Sequence, residues 1–255
     1  MRLGGNVTGV DNIDVAEAKA RGIIVTNTPG ANAQAVAEYV VTVAFALARK
    51  VTLADRSVRS GTWGQPVGTF EIGGKTIGIV GFGDIGARVA HMFSAGLDAR
   101  VMAYDPYAPE AAFAVAGAVR VDALQSLLRN ADVVSLHVPL NAATRGMIGA
   151  AEFGRMRVGS ILINLARGGI VDEAALVDAL ASGHLAGAAS DVFVEEPVPA
   201  SHSLFGLETF IASPHPVGSN REALLRMGLQ ATESIIDLLA GRAPRNALRV
   251  SKLPS

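Results

Sequence analysis

Gly81, Gly83 and Gly86 stand at the spacing with which a backbone can hold a pyrophosphate. In such a motif Gly81 allows a tight turn, Gly83 lets backbone N–H groups approach a phosphate, and Gly86 lets a helix pack closely on a strand. Asp84 and Ile85 fall in the first helical turn, where unpaired N–H groups and the positive end of the helix dipole favour an anion. Asp105 lies nineteen residues beyond Gly86, at the end of the apolar run Val101-Met102-Ala103-Tyr104. A carboxylate there can take both hydroxyls of an adenosine ribose. In a chain with 28 glycines the motif alone would mean little. Here a buried strand (Ile77–Val80), a helix (Ala87–Phe93), a second strand and the acid follow in register, so a dinucleotide site is expected.

Three later stretches put polar residues at strand ends, where open parallel sheets bind ligands. In Asn164-Leu165-Ala166-Arg167-Gly168-Gly169, an arginine directly follows a buried strand and precedes two glycines, an odd place for a residue meant only for solubility. Asp191-Val192-Phe193-Val194-Glu195-Glu196-Pro197 carries three acids. In Ser213-Pro214-His215-Pro216, prolines on both sides are expected to hold His215 extended and rigid. The other histidines read as structural: His137 lies along a buried strand, His184 ends a helix, and His91 and His202 have no charged motif neighbours.

The elements that must position these residues alternate. Leu3–Val10 and Ile23–Val25 read as strands, with a helix over Val15–Arg21 between them, capped from Asp11–Asp14 and ended by Gly22. Asn32–Lys50 is a long helix, apolar nearly all round, expected to be buried between layers or between subunits. The loop Gly61–Gly64 carries the single tryptophan, Trp63, read as a packing anchor. Asp122 with Gln125 suggests a capping box for a helix through Arg129, and Ser219 with Glu222 another for a helix to about Ala240. Strands are expected at Val133–Val138, Ser160–Asn164, Ala186–Val192 and Phe210–Ala212. Helices are expected over Ala150–Met156 and from the Asp172 cap to Gly183. Strands separated by helices of this length specify a doubly wound parallel α/β sheet.

Composition narrows the function. The chain has 255 residues, is half hydrophobic and only 18% charged, and carries a formal net charge of −1. That balance argues against an electrostatic nucleic-acid binder. With no cysteine, disulfides, thiolate metal sites and cysteine nucleophiles are excluded. No metal site is expected. Met1–Asn6 has no apolar core of a signal peptide, and Tyr39–Ala48 is too short to span a bilayer. A soluble, cytoplasmic protein is expected.

Taken together these pieces resemble the D-isomer-specific 2-hydroxyacid dehydrogenase family, which includes phosphoglycerate, glycerate/hydroxypyruvate and D-lactate dehydrogenases. The resemblance rests on Gly9–Asp14, Asn27–Gly30, the glycine motif with Asp105, Asn164–Asp172, Asp191–Pro197 and Pro214-His215, in the family's order along the whole chain. It implies a Rossmann domain over residues 31–218. It also implies a second, smaller flavodoxin-like substrate domain, kept here only as a shortened remnant in residues 1–30 and 219–255. Arg167, Glu196 and His215 are then the catalytic set; Glu195 is the rival acid, but the family's glutamate immediately precedes the proline. Asp191 lies near the nicotinamide amide, Val138 and Pro139 border the cofactor, and Thr144, Ala166 and His215 complete the cofactor-binding residues. NAD is the implied cofactor and a small 2-keto or D-2-hydroxy acid the substrate, with a homodimer formed through the nucleotide-binding domain. A non-catalytic, co-repressor-like NAD-binding protein and an inactive truncated fragment are the alternatives. Pro216-Val217-Gly218 departs from the family's usual apolar-Gly-Gly after the histidine, and Ser190 stands where an aliphatic residue is common.

Overall fold

The computed structural model describes residue 9, residues 13–64 and residues 66–248. The strand expected over Leu3–Val10 and the residues Asp11 and Asn12 fall outside these, Gly9 apart. The described residues form two compact units, one up to Ala35 and from Gly218 onward, the other Val36–Val217.

The larger unit is built on one seven-stranded sheet in the order β3-β2-β1-β4-β5-β6-β7, with every pairing parallel. The strands are β1 (Thr76–Val80), β2 (Arg100–Tyr104), β3 (Ala118–Arg120), β4 (Val133–Leu136), β5 (Ser160–Asn164), β6 (Leu185–Ser190) and β7 (Phe210–Ala212). Ahead of them come the short helix α1 (Val15–Ala20), then α2 (Ala33–Ala48) and α3 (Val51–Arg59). Between them run α4 (Asp84–Leu97), α5 (Glu110–Val115), α6 (Leu124–Asn130), α7 (Ala150–Phe153) and α8 (Glu173–Ala181); α9 (Arg221–Leu239) follows β7.

The period of two in the strands explains the double winding. Ile77, Ile79, Val101, Val133, Ile161, Ile163 and Ala189 point to one face and pack with α2, α4 and α5 through Val40, Leu47, Phe93 and Phe113. Val80, Val134, Leu136, Leu162 and Ala188 point to the other, with Leu127 and Leu128 of α6, Phe153 of α7 and Leu176 and Leu180 of α8. Gly78 is where α6 comes closest: a side-chain carbon there would lie 2.5 Å from a Leu127 methyl. The apolar helix α2 is therefore buried against the sheet layer, where Ala37, Val40 and Ala44 are fully inaccessible.

The order of winding reverses between β1 and β4. After β1 the chain winds outward to β2 and β3, then crosses back to β4 on the opposite side. A crevice opens at the carboxyl ends of strands at such a point. Because all seven strands are parallel, the loops after β1, β4, β5, β6 and β7 leave from that same end.

The smaller unit differs from expectation. Among its described residues there is one isolated antiparallel bridge, Thr26 with Ala247, where a strand over Ile23–Val25 was expected. No second sheet is found there, so the flavodoxin-like layer is not present among the described residues. A sheet layer needs several paired strands, and these residues are chiefly α1, the start of α2 and α9. Ala31, Ala35, Ala223 and Met227 form a small apolar cluster, and the Arg226 Nε donates to the Ala31 carbonyl at 2.7 Å.

Cap residues also shift. Asp14 caps α1 and Asp172 caps α8 as expected. The cap of α9 is Asn220, not Ser219, because the Asn220 side chain takes the Ala223 N–H at 2.8 Å. Helix α6 begins after Ala123 without a side-chain cap, so Asp122 stays outside it. Trp63 is 92% exposed and is not a packing anchor among the described residues. Among the described residues no helix is long and apolar enough to cross a membrane.

Candidate active site

The turn after β1 is shaped by what its glycines exclude. Gly81 has φ +93°, and a side-chain carbon on it would meet the His137 carbonyl carbon and oxygen at 2.7 Å. One on Gly86 would stand 2.2 Å from the Gly81 carbonyl oxygen and 3.2 Å from Ile79. These two glycines let α4 and the loop after β4 close on the turn. Gly83 differs: it is the first flanking residue of α4, and nothing lies within 4 Å of the corresponding position. An open cradle beside a fourteen-residue helix N-terminus, in an extended backbone without a side chain, fits a pyrophosphate.

Asp105 closes the far side of this turn. One carboxylate oxygen accepts the Phe82 N–H at 2.7 Å, and the other accepts those of Tyr107 at 2.8 Å and Ala108 at 3.2 Å. An ionised carboxylate offers about four acceptor directions, so one remains for a hydroxyl donor. The fixed negative charge is oriented by the loop it caps. His137 borders the turn and contacts the Ser135 hydroxyl through Nε2 at 2.9 Å. Burial pushes its imidazole down to about 4, so it is neutral near pH 7 and adds no cation there. Val138 lies against Gly81. Thr144 ties the following loop by donating its hydroxyl to the Pro139 carbonyl at 2.5 Å and accepting the Asn141 N–H at 2.9 Å.

The turn after β5 is stapled by Asn164. Its side chain accepts the Ala166 N–H at 3.2 Å and donates to the Arg167 carbonyl at 3.0 Å. Arg167 Nη1 donates to the Ala166 carbonyl at 2.7 Å, which bends the guanidinium back over its own turn. Gly168 is forced by the next strand's loop, since a side-chain carbon there would lie 1.9 Å from the Phe193 carbonyl oxygen.

Glu196 and His215 come from the loops after β6 and β7 and meet directly. His215 Nδ1 lies 2.9 Å from Glu196 Oε2, while Glu196 Oε1 accepts the Phe193 N–H at 2.9 Å. A carboxylate only accepts, so Nδ1 carries the proton of this bond and Nε2 is not engaged in it. Burial raises the Glu196 carboxyl, but the His215 and Phe193 hydrogen bonds and the charges of His215 and Arg167 outweigh it and hold the group below its usual value. Arg167 thus acts on the same carboxylate.

His215 is not extended. Its φ is +58°, left-handed, with Pro216 following. Pro216 disfavours a right-handed helical conformation for His215, and the left-handed one costs about 1–3 kcal/mol for a residue with a side chain. Asp191 lies behind the histidine, 1% exposed, taking the Ser213 hydroxyl at 2.5 Å and the Val217 N–H at 3.3 Å. Burial pushes the Asp191 carboxyl up against those hydrogen bonds. Asp191, Phe193, Glu196, Val198, Phe205 and His215 are among the residues lining a groove of about 620 Å³.

Sequence reasoning missed Ser213 and the contacts of Phe193. It also read His202 as lacking a charged neighbour, whereas its Nε2 lies 3.2 Å from Glu173 Oε2. The Gly168-Gly169 pair was the one signal in the sequence that two backbones meet here.

The family model described as D-isomer specific 2-hydroxyacid dehydrogenase, NAD binding domain, matches residues 41–216. The chain belongs to this family. D-3-phosphoglycerate dehydrogenase of Archaeoglobus fulgidus is 40% identical over 253 residues, which are 98% of this chain and 47% of that protein. Glyoxylate reductase of Korarchaeum cryptofilum is 41% identical over 243 residues, 93% of this chain and 73% of the relative. Among solved structures, D-lactate dehydrogenase with NAD+ from Lactobacillus jensenii superposes with a TM-score of 0.87 at 32% identity, covering 97% of this chain and 78% of that one. The chain spans about half the length of the phosphoglycerate dehydrogenases it matches.

Proposed function

We propose that this chain is an NAD-dependent oxidoreductase that interconverts a small 2-keto acid and its D-2-hydroxy acid, with residues 31–218 as its dinucleotide-binding domain. The observation that carries the reading is the His215–Glu196 hydrogen bond at 2.9 Å, made at the same sheet end as the glycine turn. NADH, when bound, would supply the hydride for the carbonyl carbon. The chain's residues do the rest. His215 gives the Nε2 proton to the carbonyl oxygen and, in the oxidative direction, takes it back from the hydroxyl. Glu196 favours the imidazolium and fixes which nitrogen faces the substrate. Arg167 offers a planar two-pronged donor to the substrate carboxylate and carbonyl.

On this reading Gly83 and the N-terminus of α4 would hold the pyrophosphate, Gly81, Gly86, Val138, Pro139, Thr144 and Ala166 would border the cofactor, and Asp191 would serve its carboxamide. Asp105 selects NAD, because a 2′-phosphate would meet an oriented carboxylate with no cation in Pro106-Tyr107 to offset it. The exposed apolar residues Val51, Val58, Trp63 and Val67 support a homodimer through this domain.

Incubation with NADH and a panel of 2-keto acids tests the assignment. Steady oxidation of NADH dependent on the keto acid is expected. A chain that binds NADH yet reduces none of the panel is a binding protein or an inactive fragment, and the proposal fails.

A further inference from the structure

We propose that Glu173 and His202 form a positioning pair that holds the loop carrying Glu196 in register with His215; this rests on the assignment of Glu196 and His215 as the proton-handling pair. Glu173 is the first residue of α8, where an acid ordinarily serves the helix end. That task is taken by Asp172, whose side chain accepts the Ala174 and Ala175 N–H groups at 3.0 and 3.1 Å. The Glu173 carboxylate instead reaches across the fold. Its Oε1 accepts the Val194 N–H at 2.9 Å and its Oε2 meets His202 Nε2 at 3.2 Å.

His202 is itself fixed. Its Nδ1 accepts the Leu204 N–H at 3.4 Å, which leaves Nε2–H to donate to Glu173. Its ring packs edge-on against Phe193 at 5.8 Å and lies 5.5 Å from Phe205. Phe193 is the hub: its N–H goes to Glu196, its carbonyl abuts Gly168, and its ring meets those of His202, Phe205 and Phe210. Glu173 holds the next residue along. The backbone is thus gripped at two successive residues, just ahead of the glutamate that must face His215.

The exposures fit this division of labour. Glu173 and His202 side chains are 23% and 20% exposed, against 38% for Glu196 and 50% for His215. A half-exposed pair is weakly self-organising, so its geometry is imposed by the better-buried pair behind it. Supporting hydrogen bonds of this kind orient the groups that do chemistry. Glu173 and His202 touch none of the reacting atoms and act only through Glu196.

Imidazole titration of the full chain by NMR, with the His215 resonance assigned by its loss in His215→Ala, tests this without relying on turnover. Glu196→Gln is expected to move the His215 titration to lower pH, and Glu173→Ala to move it the same way by less. Adding Glu173→Ala to Glu196→Gln should give no further movement, because the first acts through the second. Glu173→Gln keeps an acceptor for Val194 and should recover most of the wild-type titration. His202→Phe keeps the ring packed while losing its hydrogen bond, and should shift the titration in the same direction even if Glu173→Ala fails to fold. A His215 titration unmoved in the folded Glu173 and His202 variants, while Glu196→Gln moves it, overturns the positioning pair. If Glu196→Gln itself leaves His215 unmoved, the assignment of the proton-handling pair has failed, and the positioning pair falls with it.

Discussion

Replacing Gly83 and Gly86 separately by alanine should divide binding from stability. At Gly83 the backbone has φ −81° and ψ −164°, which alanine adopts freely, and the new methyl group meets nothing within 4 Å. Alanine is a poorer helix cap than glycine by about 0.5–1 kcal/mol, but it restricts the unfolded chain by about 0.4–1 kcal/mol. The two nearly cancel, so Gly83→Ala should unfold within about 2 °C of the wild type. The methyl group nevertheless fills the space assigned to the pyrophosphate, and NADH affinity should drop tenfold or more, about 1.4 kcal/mol. Gly86→Ala faces the opposite balance. Helix propensity favours alanine by about 1 kcal/mol, but its methyl carbon would lie 2.2 Å from a backbone oxygen where ordinary contact begins at 3.4 Å. Backbone cannot swing aside as a side chain can, and overpacking of this kind costs about 1–3 kcal/mol or more. A contact this short with backbone puts the cost at the upper end of that range, and the net loss of about 2 kcal/mol left after the propensity gain corresponds to roughly 4–8 °C in this size range. Thermal unfolding and NADH fluorescence titration of both variants decide the matter. Wild-type NADH affinity in Gly83→Ala would refute the pyrophosphate assignment, and wild-type stability in Gly86→Ala would refute the packing argument.

Other outcomes follow from the same geometry. His215→Ala should cut turnover about 10²–10⁴-fold with NADH affinity nearly unchanged, measured by steady-state kinetics beside direct titration. Glu196→Gln should make the reductive rate begin its fall with rising pH at lower pH than in the wild type, as a pH–rate profile would show. Because the Glu196 carboxyl is held below its usual value, its contribution to stability is present above that value and is lost as pH falls through the folded one. The stability difference between wild type and Glu196→Gln should therefore shrink in acid denaturation. Asp105→Asn keeps an acceptor oxygen for the backbone but removes the charge, and should narrow the preference for NAD over NADP in paired titrations. Light scattering at micromolar concentration should give the mass of a dimer, and a monomer mass would count against association through the α2, α3 and Trp63 region.

The parts of the fold that could be read from sequence are those where one physical requirement dominates. β1 and β5 are apolar runs flanked by glycine and buried throughout, and Asp172 opens α8 with no rival cap nearby. α5 and β3 escaped notice because Glu110–Arg120 is alanine-rich, with little periodicity, and β3 is a three-residue edge strand. Caps slipped by a residue at α9 because Ser219 and Asn220 are both good caps and only the backbone angle chooses between them. His215 was expected to be extended because its flanking prolines constrain the chain without saying which side of φ it takes. Around the site, the turns themselves were legible from local motif: the glycine turn after β1 and the Asn164–Gly169 turn after β5. Asp105 was assigned to a ribose alone, whereas three backbone N–H groups already use its carboxylate. Glu173 and His202 lie 29 residues apart, and no spacing rule connects them before the strands are placed.

We propose above all that His215, paired with Glu196, hands a proton to a 2-keto acid that NADH would reduce. The most direct measurement is the configuration of the product formed by the wild-type chain and by His215→Ala from the same 2-keto acid and NADH. A D-2-hydroxy acid is expected from the wild type, with near-complete loss of its formation in the variant. An L product, or undiminished formation of the D product without His215, would contradict it.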